Sequence, residues 1–169
     1  TFSQLPPNIK TTYIGIDWGY SNDECGVVRV DVTTENHLYL TQLIYQPGLT
    51  NQDLIYLLNE INLDKSLEIV SDSSEPKSIE EFRRNKFKIR GVKKGDGSVL
   101  YGIQKMRTFK IFVNETSKDL IKEFENYRYK KDRSGRVTNV PEGKDHLLDA
   151  TRYVVMEFLD KPKTKFTIV

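Results

Sequence analysis

A chain of 169 residues, 37% of them hydrophobic, is long enough to bury a core of its own, and its single cysteine, Cys25, can form no intrachain disulfide and has no thiol partner for a zinc site. One domain in a reducing intracellular setting is the expectation. Lysine and arginine number 26 against 24 acids, a formal net charge of +2, so bulk electrostatics select no partner. No apolar leader and no run of about 18 apolar residues appears, which predicts a soluble chain with no membrane span.

The opening TFSQLPPNIK has two prolines and little periodicity, and residues 1–11 read as a linker remnant ahead of a domain spanning 12–160, with 161–169 as a C-terminal tail. TTYIGID, CGVVRVDVT and HLYLTQLIY are rich in β-branched and aromatic residues and are separated by Gly, Ser, Asn and Asp, which predicts three strands in meander order. After Pro47 and Gly48, Leu54, Leu57, Leu58 and Ile61 recur at helical spacing behind Thr50 or Asn51 as a cap. LEIVSD reads as a short buried strand ending at Asp72. PKSIEEFRRN then predicts a helix with Pro76 in its first turn.

FKIRGV predicts a strand, GSVLYGIQKMRT a helix entered from a glycine loop, KIFVN a strand and SKDLIKEFENY a helix capped by Thr116 or Ser117. YRYKKDRSGRVTNV reads as a hairpin around DRSG. The last segment, GKDHLLDATRYVVMEFLD, places Leu147, Leu148, Thr151, Val154, Val155, Phe158 and Leu159 on one broad face of a long helix. Three strands, alternating helices and strands, and a terminal helix make an α/β fold with a mixed sheet.

Three acids stand at telling places. Asp17 ends the first strand, Asp72 ends the strand after the first helix, and Asp149 lies in the first turns of the last helix. Each has an ordinary reading, because Asp opens turns and is favoured near a helix N-terminus. If the first and fourth strands run parallel and adjacent, however, both strand-end acids leave the same sheet edge, and a helix across that edge adds Asp149. Carboxylates so crowded repel and call for cations, and two hard divalent ions such as Mg²⁺ or Mn²⁺ are the natural cofactors. Two such ions about 4 Å apart activate water and stabilise the leaving oxygen of a phosphodiester. His146, three residues before Asp149, shares a helix stripe with it and with Tyr153, and can ligate, orient a carboxylate or take a proton. It also reads as an ordinary group at a helix start.

GIDWGYSNDECGVV, SDSSEPKSIEEFRR, VKKGDGSVLYGI and the KDHLLDATRY helix resemble the C-terminal nuclease domain of tailed-phage terminase large subunits, from about Tyr13 to Tyr153. The resemblance implies an RNase H-like fold with three antiparallel strands followed by parallel ones, flanking helices and an added hairpin. It implies a divalent-metal endonuclease that cuts double-stranded DNA concatemers during packaging in the host cell cytoplasm. Catalytic roles fall on Asp17, Asp72, Asp149 and His146, with the three acids as metal ligands. The implied partners are DNA, a terminase small subunit and a portal or procapsid. An N-terminal packaging ATPase belongs to the family's full subunit. The sequence contains no G-x-x-x-x-G-K-[ST], so it reads as a separated, monomeric nuclease domain.

An acidic centre on DNA needs basic flanks. RRNKFKIRGVKK holds seven basic residues and no acid, and Arg83, Arg84, Lys86, Lys88, Lys93 and Lys94, with Lys105, Lys131 and Arg133, are the expected DNA contacts. Solvated surface is the plain alternative. KKGDGS resembles a phosphate loop, but its spacing fits no nucleotide fingerprint, and it serves equally as a DNA phosphate contact or a turn. Trp18, beside Asp17, is expected near the metals. Sugar kinases and actin-like ATPases share a GIDxG strand end but need a second lobe. Resolvases and transposases share the acidic logic, and a non-catalytic DNA-docking module remains the non-enzyme alternative.

Overall fold

The strand Ile9–Asp17 (β1) lies at the centre of the chain's pairing: in the computed structural model it runs antiparallel to Glu24–Thr33 (β2) and parallel to Glu68–Asp72 (β4). The structure describes residues 1–19, 23–131, 133–142 and 144–160, so the expected tail 161–169 lies outside the described residues. Leu38–Pro47 (β3) pairs with β2, Lys88–Val92 (β5) pairs parallel with β4, and Ile111–Val113 (β6) pairs parallel with β3. The six-stranded order is β5-β4-β1-β2-β3-β6, a mixed sheet with its antiparallel meander in the middle.

Alternation along the strands divides the core between two faces. Ile14, Ile16, Val27, Ile69 and Ile89 meet Leu54, Ile55 and Leu58 of Asn51–Glu60 (α1) and Ile79 and Phe82 of Pro76–Arg84 (α2). Val28, Val30, Leu38, Leu40 and Val70 face the other way, onto Leu147, Leu148, Ala150, Tyr153 and Val154 of His146–Val154 (α5). A bulge at Leu43, where Val27 opposes Ile44 but Val28 opposes Gln42, reverses the phase of β3. Ile44 thus packs with the first group although Leu38 and Leu40 pack with the second.

The helix starts are stabilised in different ways. Thr50 and Asp53 form a reciprocal capping box at α1. Ser117 precedes Lys118–Asn126 (α4), but its hydroxyl accepts from Gln42 N–H at 2.9 Å, and the Gln42 amide oxygen accepts from Asp119 and Leu120 N–H instead. Gly97, in the left-handed region at φ 74°, opens Ser98–Met106 (α3). Arg128–Lys131 (β7) and Val137–Glu142 (β8) form the separate hairpin.

Two boundaries differ from the sequence expectation. β1 begins at Ile9, inside the segment read as a linker, because Ile9 pairs with Thr33; upstream, Phe2 bridges Asn114 and sets its ring edge-on to Tyr39. The last helix changes after Val154 into a π-helical turn, Val155–Leu159, which widens the helix although the apolar spacing continues.

Candidate active site

Parallel pairing sets the carboxyl ends of β1 and β4 side by side, with Ile16 opposite Ser71. Asp17 shares its strand face with Gly15, and Asp72 with Val70, so both side chains point to the face covered by α5. Glycines let that helix come close. A Cβ on Gly15 would stand 2.0 Å from the Ala150 carbonyl oxygen, and one on Gly26, opposite Asp17, 3.0 Å from the His146 carbonyl. Backbone therefore meets backbone where the helix begins. Glu123 of α4 completes that beginning by accepting from Leu147 and Leu148 N–H at 3.3 and 2.9 Å. Burial pushes its carboxyl up to about 7, against the lowering effect of those amides.

At this edge one chain of hydrogen bonds joins the predicted acids. His146 Nδ1 lies 2.9 Å from Asp17 Oδ2. The Tyr153 hydroxyl donates to Asp17 Oδ1 at 2.9 Å, with Asp149 Oδ2 at a longer 3.4 Å. Lys94 Nζ donates both to Tyr153 Oη at 2.9 Å and to Asp72 Oδ2 at 2.6 Å. Arg152 grips Asp149 through Nε at 3.0 Å and Nη2 at 2.5 Å, and Ser74 N–H donates to Asp72 Oδ1. Glu24 faces the far side of the imidazole, 3.8 Å from Nε2.

The electrostatics follow from crowding. Burial raises Asp17 above the usual carboxylate range and nearby Asp149 adds to it, against the lowering effect of the His146 and Tyr153 hydrogen bonds. His146 is raised by its bond to Asp17, against burial. Burial also raises Asp145, reinforced by Asp149. Asp72 goes the other way: desolvation opposes ionisation there, but the Lys94 ammonium and Ser74 amide outweigh it and hold the carboxyl low. As they stand, no group of three or more His, Cys, Asp or Glu side chains among the described residues has the arrangement of a metal cage. Lys94 and Arg152 are the cationic partners of Asp72 and Asp149, and His146 is hydrogen-bonded to Asp17. Hard oxygen donors crowded so that one resists ionisation are nevertheless the donor set a hard divalent cation requires.

Sequence reading misses three participants. Tyr153 reads as core by default, yet its hydroxyl is the hub of the cluster; its place on the His146–Asp149 stripe is the available signal. Arg152 is 2% exposed, and a buried arginine three residues after an acid signals a pair. Glu123 carries no local signal.

The expected DNA contacts do not form one patch. β5 runs from Lys88, opposite Glu68, to Val92, opposite Asp72, so Lys88 stands about 13 Å from the Asp72 end. Lys88 and Arg90 pair with Glu68, Arg84 with Glu80, and Arg83 donates to the Ile89 carbonyl. Lys86, exposed in the turn after α2, also precedes β5. Lys93 and Lys94 alone of this stretch reach the Asp72 end. Lys105 pairs with Asp160, Arg133 is exposed in the hairpin turn, and Lys131 lies on β7. Trp18 corrects an expectation: it packs edge-on against Phe82 at 5.2 Å, on the face opposite Asp17, because strand alternation turns neighbours apart. Burial pushes the Cys25 thiol up to about 12, leaving it protonated and inert.

A mixed sheet with adjacent parallel β1 and β4, acids at their ends and a helix closing over them defines an RNase H-like nuclease fold. The family described as the terminase RNase H-like domain matches residues 17–157, and the chain belongs to it. It is 36% identical over 123 residues to the PBSX phage terminase large subunit of Bacillus subtilis (strain 168), covering 72% of this chain and 28% of that one. It is 30% identical over 145 residues to the terminase large subunit of Bacillus phage SPP1, covering 82% and 34%. The chain thus spans about a third or less of these relatives. Among solved structures, the large terminase nuclease domain of bacteriophage SPP1 with bound Mn superposes with a TM-score of 0.76 at 26% identity, over 87% of this chain and 86% of that one. The large terminase of a thermophilic bacteriophage shares the fold, with a TM-score of 0.76 at 20% identity over 94% and 42%.

Proposed function

We propose that this chain is a terminase nuclease domain, a metal-dependent endonuclease that cuts double-stranded DNA concatemers during phage genome packaging in the host cytoplasm. Asp17, Asp72 and Asp149 would hold two Mg²⁺ or Mn²⁺ ions, which when bound supply an activated water and a stabilised leaving oxygen for phosphodiester hydrolysis. The chain's own groups orient and balance charge. His146 and Tyr153 fix the two oxygens of Asp17, and Arg152 fixes Asp149. Lys93 and Arg133 are the exposed cations we assign to DNA phosphate. Site choice, ATP hydrolysis and docking to a portal or procapsid are assigned to an N-terminal ATPase and a small subunit acting with this domain.

The observation that carries this reading is the convergence of Asp17, Asp72, Asp149 and His146 on one hydrogen-bonded edge, inside the segment that matches the family. The Mn in the SPP1 nuclease domain supports the choice of cation. One observation favours the alternative of a non-catalytic DNA-docking module: each acid already has a protein partner. Plasmid nicking separates the two. Supercoiled DNA with Mg²⁺ or Mn²⁺ is expected to be nicked, and EDTA, Asp17→Asn or Asp149→Asn to abolish nicking. DNA retention without cutting by the unmodified chain would establish the docking module instead.

A further inference from the structure

We propose that Lys94 is the site's resident counter-cation, a positioning residue whose ammonium holds Asp72 and Tyr153 until a divalent cation displaces it, and which thereby sets the threshold for metal binding. The proposal rests on the metal-dependent reading above. The ammonium makes three contacts: Asp72 Oδ2 at 2.6 Å, Tyr153 Oη at 2.9 Å and the Tyr153 ring face at 4.5 Å from its centroid. Strand register delivers it, since Val92 lies opposite Asp72 and the chain needs only two further residues to bring Lys94 back onto that carboxylate.

Both oxygens of Asp72 are engaged. Oδ1 accepts from Ser74 N–H and Oδ2 from Lys94, so a dication drawn to Asp72 would meet the charge of the Lys94 ammonium there. Of the partners of the other two acids, Arg152 is buried, forked onto Asp149 and packed so that a Cβ on Gly102 would meet its side chain at 2.5 Å. It is fixed. His146 is tied to Asp17 at the start of α5. Lys94 alone has a flexible four-carbon stem, a side chain 31% exposed, and a following loop whose Gly95 and Gly97 have open space around them.

The test is a Mn²⁺ titration of the full chain without DNA, read as free Mn²⁺ by electron paramagnetic resonance. Lys94→Met, which keeps the stem and removes the charge, is expected to bind Mn²⁺ about tenfold more tightly. Lys94→Gln should do the same and replaces it if the methionine variant fails to fold. Asp72→Asn should weaken binding, and in that background Lys94→Met should no longer tighten it. Unchanged or weaker binding in both Lys94 variants, with Asp72→Asn still weakening the wild type, overturns the role of Lys94 and leaves the metal reading standing. Binding indifferent to Asp72→Asn overturns both.

Discussion

Gly15→Ala tests how the site is assembled, because the change is one methyl group placed between β1 and α5. The added Cβ would lie 2.0 Å from the Ala150 oxygen, 2.6 Å from its carbonyl carbon and 3.1 Å from a Val154 methyl. Non-bonded atoms settle at about 3.5 Å, so the helix must retreat by about 1.5 Å. His146 and Asp149 ride on the same helix as Ala150 and move with it. The 2.9 Å bonds from His146 and Tyr153 to Asp17 would then stretch to about 4 Å, beyond hydrogen-bond reach. Overpacking costs about 1–3 kcal/mol and each lost bond about 1 kcal/mol, so urea denaturation should show a loss of about 3–5 kcal/mol. Displacement of about 1 Å at a reacting centre lowers rates about 100-fold, which plasmid nicking at saturating metal would read. Gly26→Ala, whose Cβ would lie 3.0 Å from the His146 carbonyl, should cost less in both assays. A Gly15→Ala protein with wild-type stability and wild-type nicking would refute the seating of α5 described above.

Glu123 makes stability fall with rising pH. Its carboxyl, raised to about 7 from 4.5, binds a proton more tightly folded than unfolded, so its burial is free of cost below pH 4.5 and progressively destabilising up to about pH 7. The loss is on the order of 3 kcal/mol across that window. Glu123→Gln keeps an acceptor for Leu148 N–H and removes the titration; denaturant melts from pH 4.5 to about 8 should be flatter than wild type, and equal slopes would exclude the assignment. His146 adds a smaller effect of the same sign, its contribution fully present below the unfolded value of 6.5 and lost as pH rises through the higher folded value. Phe82→Ala should cost about 3–5 kcal/mol in urea and alter Trp18 fluorescence, since Phe82 is fully buried against Trp18 and Phe87. An unshifted midpoint would mean that the α2 face does not close the core.

Element order was written locally. Val27, Val28, Val30 and Val32 announce a strand by composition, and Leu54, Leu57 and Leu58 a helix by spacing, because backbone sterics and side-chain period act over a few residues. The three acids were legible for the same reason, since each stands where a local element begins or ends. The limits appear where the period ceases to choose. The apolar face of the last segment continues through Phe158 and Leu159, yet α5 gives way to a π turn after Val154.

What the tertiary structure alone decided is which groups meet. His146 and Asp17 are 129 positions apart, Tyr153 and Asp17 136, and Lys94 and Tyr153 59. Nothing in a local pattern encodes such pairings; they follow from parallel register between β1 and β4 and from two glycines that let α5 settle on the sheet. The basic run makes the same point in reverse. Arg83 to Lys94 is one stretch of charge along the chain, but strand direction carries Lys88 to one end of the sheet and Lys94 to the other, so that a single lysine enters the acidic cluster while its neighbours pair with Glu68.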